Sequence, residues 1–149
     1  MSEMLGNQYF LARKYANAID VFEKALTNDF KNKGIRCKLI ICYTQAREIK
    51  KALDVFVTLI EDDIEFIINM DPVRDDCPCP ELVFDLEANL DISLYSFDYY
   101  LSLGMLWLYC DLKKSIEYFR KAQKLDQENP KIKYILFHLI STLKKKENS

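Results

Sequence analysis

The residues best suited to chemistry in this 149-residue chain are its five cysteines, its carboxylates and its one histidine. Cys77 and Cys79 stand in the tetrapeptide Cys-Pro-Cys-Pro. Paired zinc cysteines usually have two residues between them and need a second ligand pair. Cys37 and Cys42 are five positions apart on a predicted helix, which puts them on different faces. The sequence therefore predicts no metal site, and we expect Cys37, Cys42 and Cys110 to be small buried apolar residues.

The cysteine count and the N-terminus indicate a reducing compartment. Five is an odd number, and the opening MSEMLGNQYF has no basic region followed by an apolar stretch. Neither feature is typical of a secreted, disulfide-stabilised protein. No apolar run reaches the roughly 18 uncharged residues that a membrane span needs. We therefore expect a cytoplasmic protein without a membrane span.

Acidic residues are concentrated in one part of the chain. From Glu61 to Asp91, eleven acidic residues are opposed only by Arg74, a net charge of −10, and the total of −2 leaves +8 for the remainder. Residues 71–76 lack the alternating oxygen ligands and the central glycine of a calcium loop. A solvated acidic surface is the favoured interpretation. A metal-binding or enzymatic role for the Cys-Pro-Cys-Pro sequence or for this acidic segment ranks third among the possible functions.

Catalysis and nucleic-acid binding are not expected. An enzyme needs an acid, base or nucleophile in a shaped pocket, and the chain offers one histidine, His138, with no glycine-rich phosphate loop. The basic residues are spread over helix faces, whereas nucleic-acid binding favours a basic stripe interleaved with aromatic residues. We predict no cofactor, and a protein or peptide as the partner.

Composition and periodicity both favour helices. Half of the residues are hydrophobic, but glycine and proline total only seven, too few for a fold rich in turns. Apolar residues recur at helical spacing in several segments. These segments are 3–13, 16–28, 34–46, 49–69, 112–125 and 130–146.

Residues 70–80 hold three of the four prolines, and no continuous helix can cross them. Pro80 can stand in the first turn of a new helix. That helix would carry an apolar stripe of Leu82, Val83, Leu86 and Leu90. It could end near Asn89 or Asp91, before a second helix that runs to about Cys110, or a single helix could cover 80–110.

A repeat underlies these helices. The segment Leu5-Gly6-x-x-Tyr9, followed by Ala18, Phe22 and Ala25, resembles the 34-residue tetratricopeptide (TPR) pattern. A shift of 34 positions gives a second copy, at Leu39, Tyr43, Ala52 and Phe56. Ser115, Phe119 and Ala122 match the later part of a third copy.

The resemblance implies an all-α, TPR-like helical-hairpin solenoid in a single domain, 1–149. Its parts would be repeats at about 1–32, 33–66 and 96–129, an acidic insertion at 67–95 and a capping helix at 130–146. Ala18 and Ala52 should lie where two helices cross closely. The third copy fits less well, because Leu103-Gly104 lies one residue too close to the following turn.

TPR domains bind extended segments along a concave groove lined by the first helix of each repeat. The resemblance places these residues there: Asn7, Phe10, Cys37, Ile41, Thr44, Gln45, Tyr100 and Trp107. Asn7 fits a clamp for a terminal carboxylate, but Glu3 stands where that clamp needs a lysine. The resemblance therefore implies an adaptor that binds a peptide or partner helix in an apolar, aromatic groove.

Two alternatives stay open. The chain could be a self-assembling TPR scaffold that forms homo-oligomers by end stacking. The acidic insertion could also dock by its apolar stripe on the first helix of copy three, near Tyr95, Tyr99 or Trp107. Tyr100 and Trp107 would then be ordinary core residues.

Overall fold

A computed structural model describes residues 2–88 and 96–149, and these residues form eight α-helices with no strand among them. The helices are α1 (Ser2–Leu11), α2 (Tyr15–Asn28), α3 (Lys33–Gln45), α4 (Ile49–Ile68), α5 (Cys79–Ala88), α6 (Phe97–Trp107), α7 (Leu112–Leu125) and α8 (Pro130–Glu147). The predicted all-α class is confirmed.

The chain divides into two compact units, Met1–Leu59 and Ile60–Ser149. In the first unit, α1 packs on α2 and α2 packs on α3. In the second unit, α5, α6, α7 and α8 pack on one another in chain order. Neighbours in sequence are thus neighbours in space within each unit, as a helical-hairpin arrangement requires. The single domain over 1–149 stays a prediction.

Two turns in the first unit repeat with a spacing of 34 residues. Arg13, after α1, and Arg47, after α3, both have a left-handed backbone with φ of 61°. In both turns the next residue's N–H donates to a tyrosine carbonyl oxygen five positions earlier, at 2.9 Å. The donor and acceptor pairs are Lys14 with Tyr9 and Glu48 with Tyr43. Such bonds satisfy the carbonyl groups that a helix end leaves unpaired.

A second turn type occurs once in each unit. Asp29, after α2, has φ −146° and ψ 70°, and Asp126, after α7, has φ −147° and ψ 76°. Three residues later, the N–H groups of Asn32 and Asn129 donate to the carbonyl oxygens of these aspartates, at 3.1 and 3.2 Å. The two asparagine side chains then cap α3 and α8. The α2–α3 and α7–α8 connections therefore have the same construction.

Two glycines mark close helix contacts. A Cβ atom added to Gly6 of α1 would lie 2.5 Å from the Phe22 ring, and one added to Gly104 of α6 would lie 2.8 Å from the Phe119 ring. Both phenylalanines are fully buried. No side chain larger than hydrogen fits at either contact unless the ring moves. The small residues expected at close crossings are also fully buried: Ala18, Ala52 and Ser115.

Helix α4 has the predicted length but not the predicted regularity. It ends at Ile68, next to the expected end at Asn69, but the backbone of Asp63 (φ −166°, ψ 82°) interrupts it. The stripe through Ile64 and Ile67 continues across the break. Hydrophobic spacing alone therefore predicted one uninterrupted helix.

In the second unit, the last part of α4 contacts α8. The Tyr134 hydroxyl donates to the Glu61 carboxylate, and this bond helps to raise the pKa of the tyrosine. Lys146 forms an ion pair with Glu65 at 3.1 Å. Two residues of the acidic segment thus contact α8.

The proline-rich connection between α4 and α5 has its own hydrogen bonds. The Asp71 carboxylate accepts from the N–H groups of Val73 and Arg74, at 2.9 and 2.8 Å, and these bonds lower its pKa. The Asp75 side chain accepts from the N–H of Asp71 at 2.8 Å. Pro80 lies in the first turn of α5, as predicted. The choice between one helix and two over 80–110 involves 89–95, which lie outside the described residues.

Two of the three cysteines expected in the core are there. Cys37 and Cys42 are fully buried, and burial raises the pKa of Cys42 to about 12. The prediction for Cys110 is wrong, since this residue is exposed. Helix α6 ends at Trp107 instead of reaching Cys110, which lies in the turn before α7.

Candidate functional site

The groove residues predicted in the first unit are mostly buried. The buried side chains, none more than 7% exposed, are Phe10, Cys37, Ile41 and Thr44. Asn7 and Gln45 are half-buried. These side chains offer little surface to a partner in this conformation, and their role in a groove stays a prediction.

One polar contact joins α1 to α3 on this face. The Lys38 ammonium donates to the Asn7 side-chain oxygen at 2.7 Å and lies 5.8 Å from the centre of the Phe10 ring. Lys38 was not predicted to belong to the site, because a lone lysine on a predicted helix is ordinarily a solvated residue. The contact places a positive charge beside the Asn7 amide.

The aromatic groove residues of the second unit lie beside α7. The Tyr100 ring is 6.4 Å from the ring of Tyr118, and the Lys114 ammonium is 5.7 Å from the Trp107 ring. Both aromatic side chains are half-buried. The indole N–H of Trp107 is buried and has no acceptor among the described residues.

Close glycine contacts allow α6 to be aligned with α1. Gly104 meets Phe119 as Gly6 meets Phe22, so the two glycines are equivalent. The register that put Tyr100 and Trp107 in the predicted groove places Gly104 one step later in the repeat than Gly6. With the glycines aligned, Trp107 corresponds to Tyr9 of α1, and its place in a groove stays a prediction.

Helix α5 docks on α6, which is the outcome expected if the insertion folds back. Val83 is 3% exposed, and the Tyr99 hydroxyl donates to the carbonyl oxygen of Leu86 at 3.4 Å. The Tyr118 hydroxyl of α7 donates to the Glu87 carboxylate. The expected contact with Tyr99 is therefore confirmed, and the proposed contacts of Leu90 and Tyr95 lie outside the described residues.

An open groove lies between α7 and α8, with a volume of about 220 Å³. We call it the α7–α8 groove, and it is lined by Lys113, Ile116, Arg120, Ile140, Leu143, Lys144 and Glu147. A hollow of about 460 Å³ on the adjoining surface of α7 shares Lys113, Ile116 and Arg120 with it. The floor is apolar, and the rim is mainly cationic.

The surroundings of the α7–α8 groove are strongly basic. Residues 112–149 contain ten lysines and arginines against four acidic residues, a net charge of +6. The signal in the sequence was the spacing of Lys113, Ile116 and Arg120 along one helix face. The sequence could not show that Ile140 and Leu143 of α8 lie beside that face.

Metal binding and membrane insertion can be considered for the described residues. No group of three or more histidine, cysteine or acidic side chains there is arranged to hold a metal ion. None of the described helices combines the length and the apolar character needed to cross a membrane.

Comparison of the chain with known protein families and curated sequences gives no match. The TPR resemblance therefore depends on the residues and packing of this chain alone.

Proposed function

We propose that the protein is a TPR-like adaptor that binds an acidic, amphipathic segment of a partner protein in the α7–α8 groove. The observation that carries this proposal is the groove itself, with apolar Ile116, Ile140 and Leu143 between the cationic rim residues Lys113 and Arg120. An amphipathic helix presents apolar residues on one face and charges on its flanks, and this arrangement complements such a groove.

The TPR-like part of the proposal is supported by recurrence within the chain. The left-handed turns at Arg13 and Arg47 are 34 residues apart, which is the length of the repeat. The glycine–phenylalanine contact recurs in the α1–α2 and α6–α7 hairpins. Hairpins that share contacts and turns are typical of arrays in which each unit stacks on the next.

The α7–α8 groove is favoured over the groove of first helices because of exposure. Lys113 and Arg120 are exposed, and Ile140 and Leu143 are half-exposed. The groove residues expected in α3 are buried, with Cys37 and Ile41 fully so. Binding at the first-helix groove would require those side chains to become accessible, whereas the α7–α8 groove is open already.

The partner chemistry can be tested with a designed peptide. The probe is a fluorescent amphipathic peptide with leucines at helical spacing and glutamates on its flanks, beside a copy with every glutamate changed to glutamine. We expect the acidic peptide to bind at least about tenfold more tightly in a fluorescence anisotropy titration, and added salt should weaken its binding.

Matched charge reversals locate the site. Lys113→Glu with Arg120→Glu should lower the affinity by at least about tenfold. Lys24→Glu with Lys50→Glu changes the net charge equally on exposed residues of α2 and α4 and should have little effect. Equal losses in both double variants would mean that net charge, not the α7–α8 groove, attracts the peptide. Failure of the acidic peptide to bind would reject the proposed partner.

Self-assembly is a second candidate function, favoured by the surface of α1. Three apolar side chains of this helix are largely exposed: Met4 at 65%, Leu5 at 43% and Leu11 at 53%. Burial of these side chains against another copy would be favourable, at about 25 cal/mol per Å² of apolar surface.

Sedimentation over a range of protein concentrations tests self-assembly. We expect a concentration-dependent association that Met4→Glu with Leu11→Glu removes. A monomer at every accessible concentration would leave the adaptor alone.

A further inference from the structure

Two thiols meet at the start of α5. The Sγ atoms of Cys77 and Cys79 are 2.6 Å apart, and both residues are buried. Both residues are free thiols, and their sulfur atoms are in direct contact. The two sulfur atoms are nevertheless placed for direct reaction, without any need to bring distant parts of the chain together.

The backbone around the pair favours this arrangement. Cys77 precedes Pro78 and Cys79 precedes Pro80, and a following proline restricts a residue to extended conformations or to a helix start. The N–H of Cys77 donates to the carbonyl oxygen of Pro72 at 3.1 Å, which closes the segment 71–78 on itself. Little conformational freedom is left to lose when the two sulfur atoms bond.

The electrostatic environment favours a thiolate at Cys77. Hydrogen bonding with the Cys79 side chain and backbone lowers the pKa of the Cys77 thiol, although burial and the Asp75 carboxylate act in the opposite direction. Cys79 is the first residue of α5, where the unpaired N–H groups of a helix stabilise negative charge.

A third thiol, Cys110, differs from Cys77 in its exposure and in the direction of its pKa shift. Cys110 is exposed and close enough for a charge on Cys77 to affect it. Desolvation, the charge of Cys77 and the neighbouring Asp111 raise the pKa of Cys110 to about 11. At neutral pH this thiol is the poorer nucleophile, despite its greater exposure.

We propose that Cys77 and Cys79 form a redox-active dithiol that exchanges with low-molecular-weight disulfides. The Cys77 thiolate attacks a disulfide RSSR, forms a mixed disulfide and releases one thiolate RS⁻. The Cys79 thiolate then attacks the Cys77 sulfur, closes the Cys77–Cys79 disulfide and releases the second RS⁻. The two protons from the cysteines end on two RSH molecules, so the protein is oxidised and RSSR is reduced.

Access requires the segment 71–78 to open locally. Its outer side chains already face solvent, since Val73 is 87% exposed and Asp71 and Arg74 are exposed as well. Segments with few buried apolar contacts open at low free-energy cost without unfolding of the core.

The test uses hydroxyethyl disulfide on the folded full-length chain. Wild-type protein should lose the mass of two hydrogen atoms by intact mass spectrometry. Cleavage after Glu81 separates Cys77 and Cys79 from Cys110, so the position of the disulfide can be read from the fragments. Cys37 and Cys42, buried in α3, should react at least about tenfold more slowly and show that the protein stays folded.

Three variants assign the roles. Cys79→Ser should trap a stable mixed disulfide on Cys77, Cys77→Ser should prevent the internal disulfide, and Cys110→Ser should react like the wild type. A disulfide that includes Cys110, a native protein that does not react, or a Cys79→Ser variant that traps nothing would each overturn the proposal. Circular dichroism of each variant establishes that the fold is retained.

Discussion

Helices α1 and α6 belong to hairpins of similar construction but have different surroundings. Each places a glycine under a buried phenylalanine ring of the next helix, Gly6 under Phe22 and Gly104 under Phe119. On α1, large apolar side chains remain exposed. On α6, every residue from Leu101 to Leu106 is buried, and α5 packs against the helix.

The difference shows what α5 contributes to the second unit. A helix of a hairpin array has an apolar face that only a neighbour can bury. For α6, helix α5 supplies that neighbour in the same unit, through Val83 and the hydrogen bond from Tyr99 to Leu86. Helix α1 keeps its apolar residues at the surface, which makes it the better candidate for self-assembly.

The largest expected effect tests the buried phenylalanine ring that both hairpins place over a glycine. Phe22→Ala and Phe119→Ala each remove a fully buried ring, and each should lower the free energy of unfolding by about 3–5 kcal/mol. Denaturant unfolding measures the loss. Leu125→Ala, at a residue that is 57% exposed, is the control and should change little. A loss at only one phenylalanine would mean that the hairpins are not energetically equivalent.

The next largest effect tests the packing of α5 on α6, which distinguishes α6 from α1. Val83→Asp places a charge where α5 meets α6, and we expect a cost of at least about 2 kcal/mol for α5 docking. Proteolysis within 71–78 should accelerate, and the fluorescence of Trp107, the sole tryptophan, should change.

The neighbouring Phe84→Asp is the matched control for Val83→Asp. Phe84 is 71% exposed, so the same charge there should leave both signals near those of the wild type. Similar signals from the two variants would show that the apolar stripe does not determine where α5 docks.

A smaller effect compares the glycines. Gly6→Ala and Gly104→Ala push a methyl group into a ring, a strain of about 1–3 kcal/mol, which a gain of up to about 1 kcal/mol in helix propensity partly offsets. We expect each of these two glycine variants to lose about 1–2 kcal/mol in its free energy of unfolding. Gly34→Ala is the control, because its Cβ would only touch the Asn32 side-chain oxygen at 3.4 Å. That variant should be slightly stabilised, and a stabilised Gly104→Ala would contradict the close contact.

Much of the fold could be predicted because its signals are local. Asn129 followed by Pro130 is a helix-start pattern, and α8 begins at Pro130 with the Asn129 side chain as its cap. The break at Asp63 could not be predicted, because the apolar stripe is continuous through it. The end of α6 was placed too late, at Cys110, because Leu108 and Tyr109 continue the apolar pattern beyond the helix.

Less of the candidate site could be predicted, because a site depends on contacts between distant residues. The repeat pattern assigned groove positions by counting, and the span from glycine to phenylalanine is sixteen residues in the first hairpin but fifteen in the third copy. When Gly104 is aligned with Gly6, that single residue pairs Trp107 with Tyr9, so its groove position stays a prediction. The α7–α8 groove depends on which faces of two helices meet, and no local pattern specifies this.

The smallest expected effect compares two tyrosine–carboxylate pairs, one in each unit. Tyr43 of α3 donates to Glu23 of α2, and Tyr118 of α7 donates to Glu87 of α5. Burial first, and then the hydrogen bond to the carboxylate, raise the pKa of both tyrosines above 10.0. Only the neutral phenol can donate, so each pair stabilises the fold below pH 10.0, the unshifted tyrosine pKa, and loses this contribution as the pH rises through the folded-state pKa.

Tyr43→Phe and Tyr118→Phe should each cost about 1 kcal/mol of folding free energy near neutral pH and flatten the alkaline loss of stability. Tyr118 also holds α5, so Tyr118→Phe should speed proteolysis within 71–78 while Tyr43→Phe should not. If both variants accelerate cleavage equally, Glu87 does not anchor the insertion, and the contrast between α6 and α1 depends on Val83 alone.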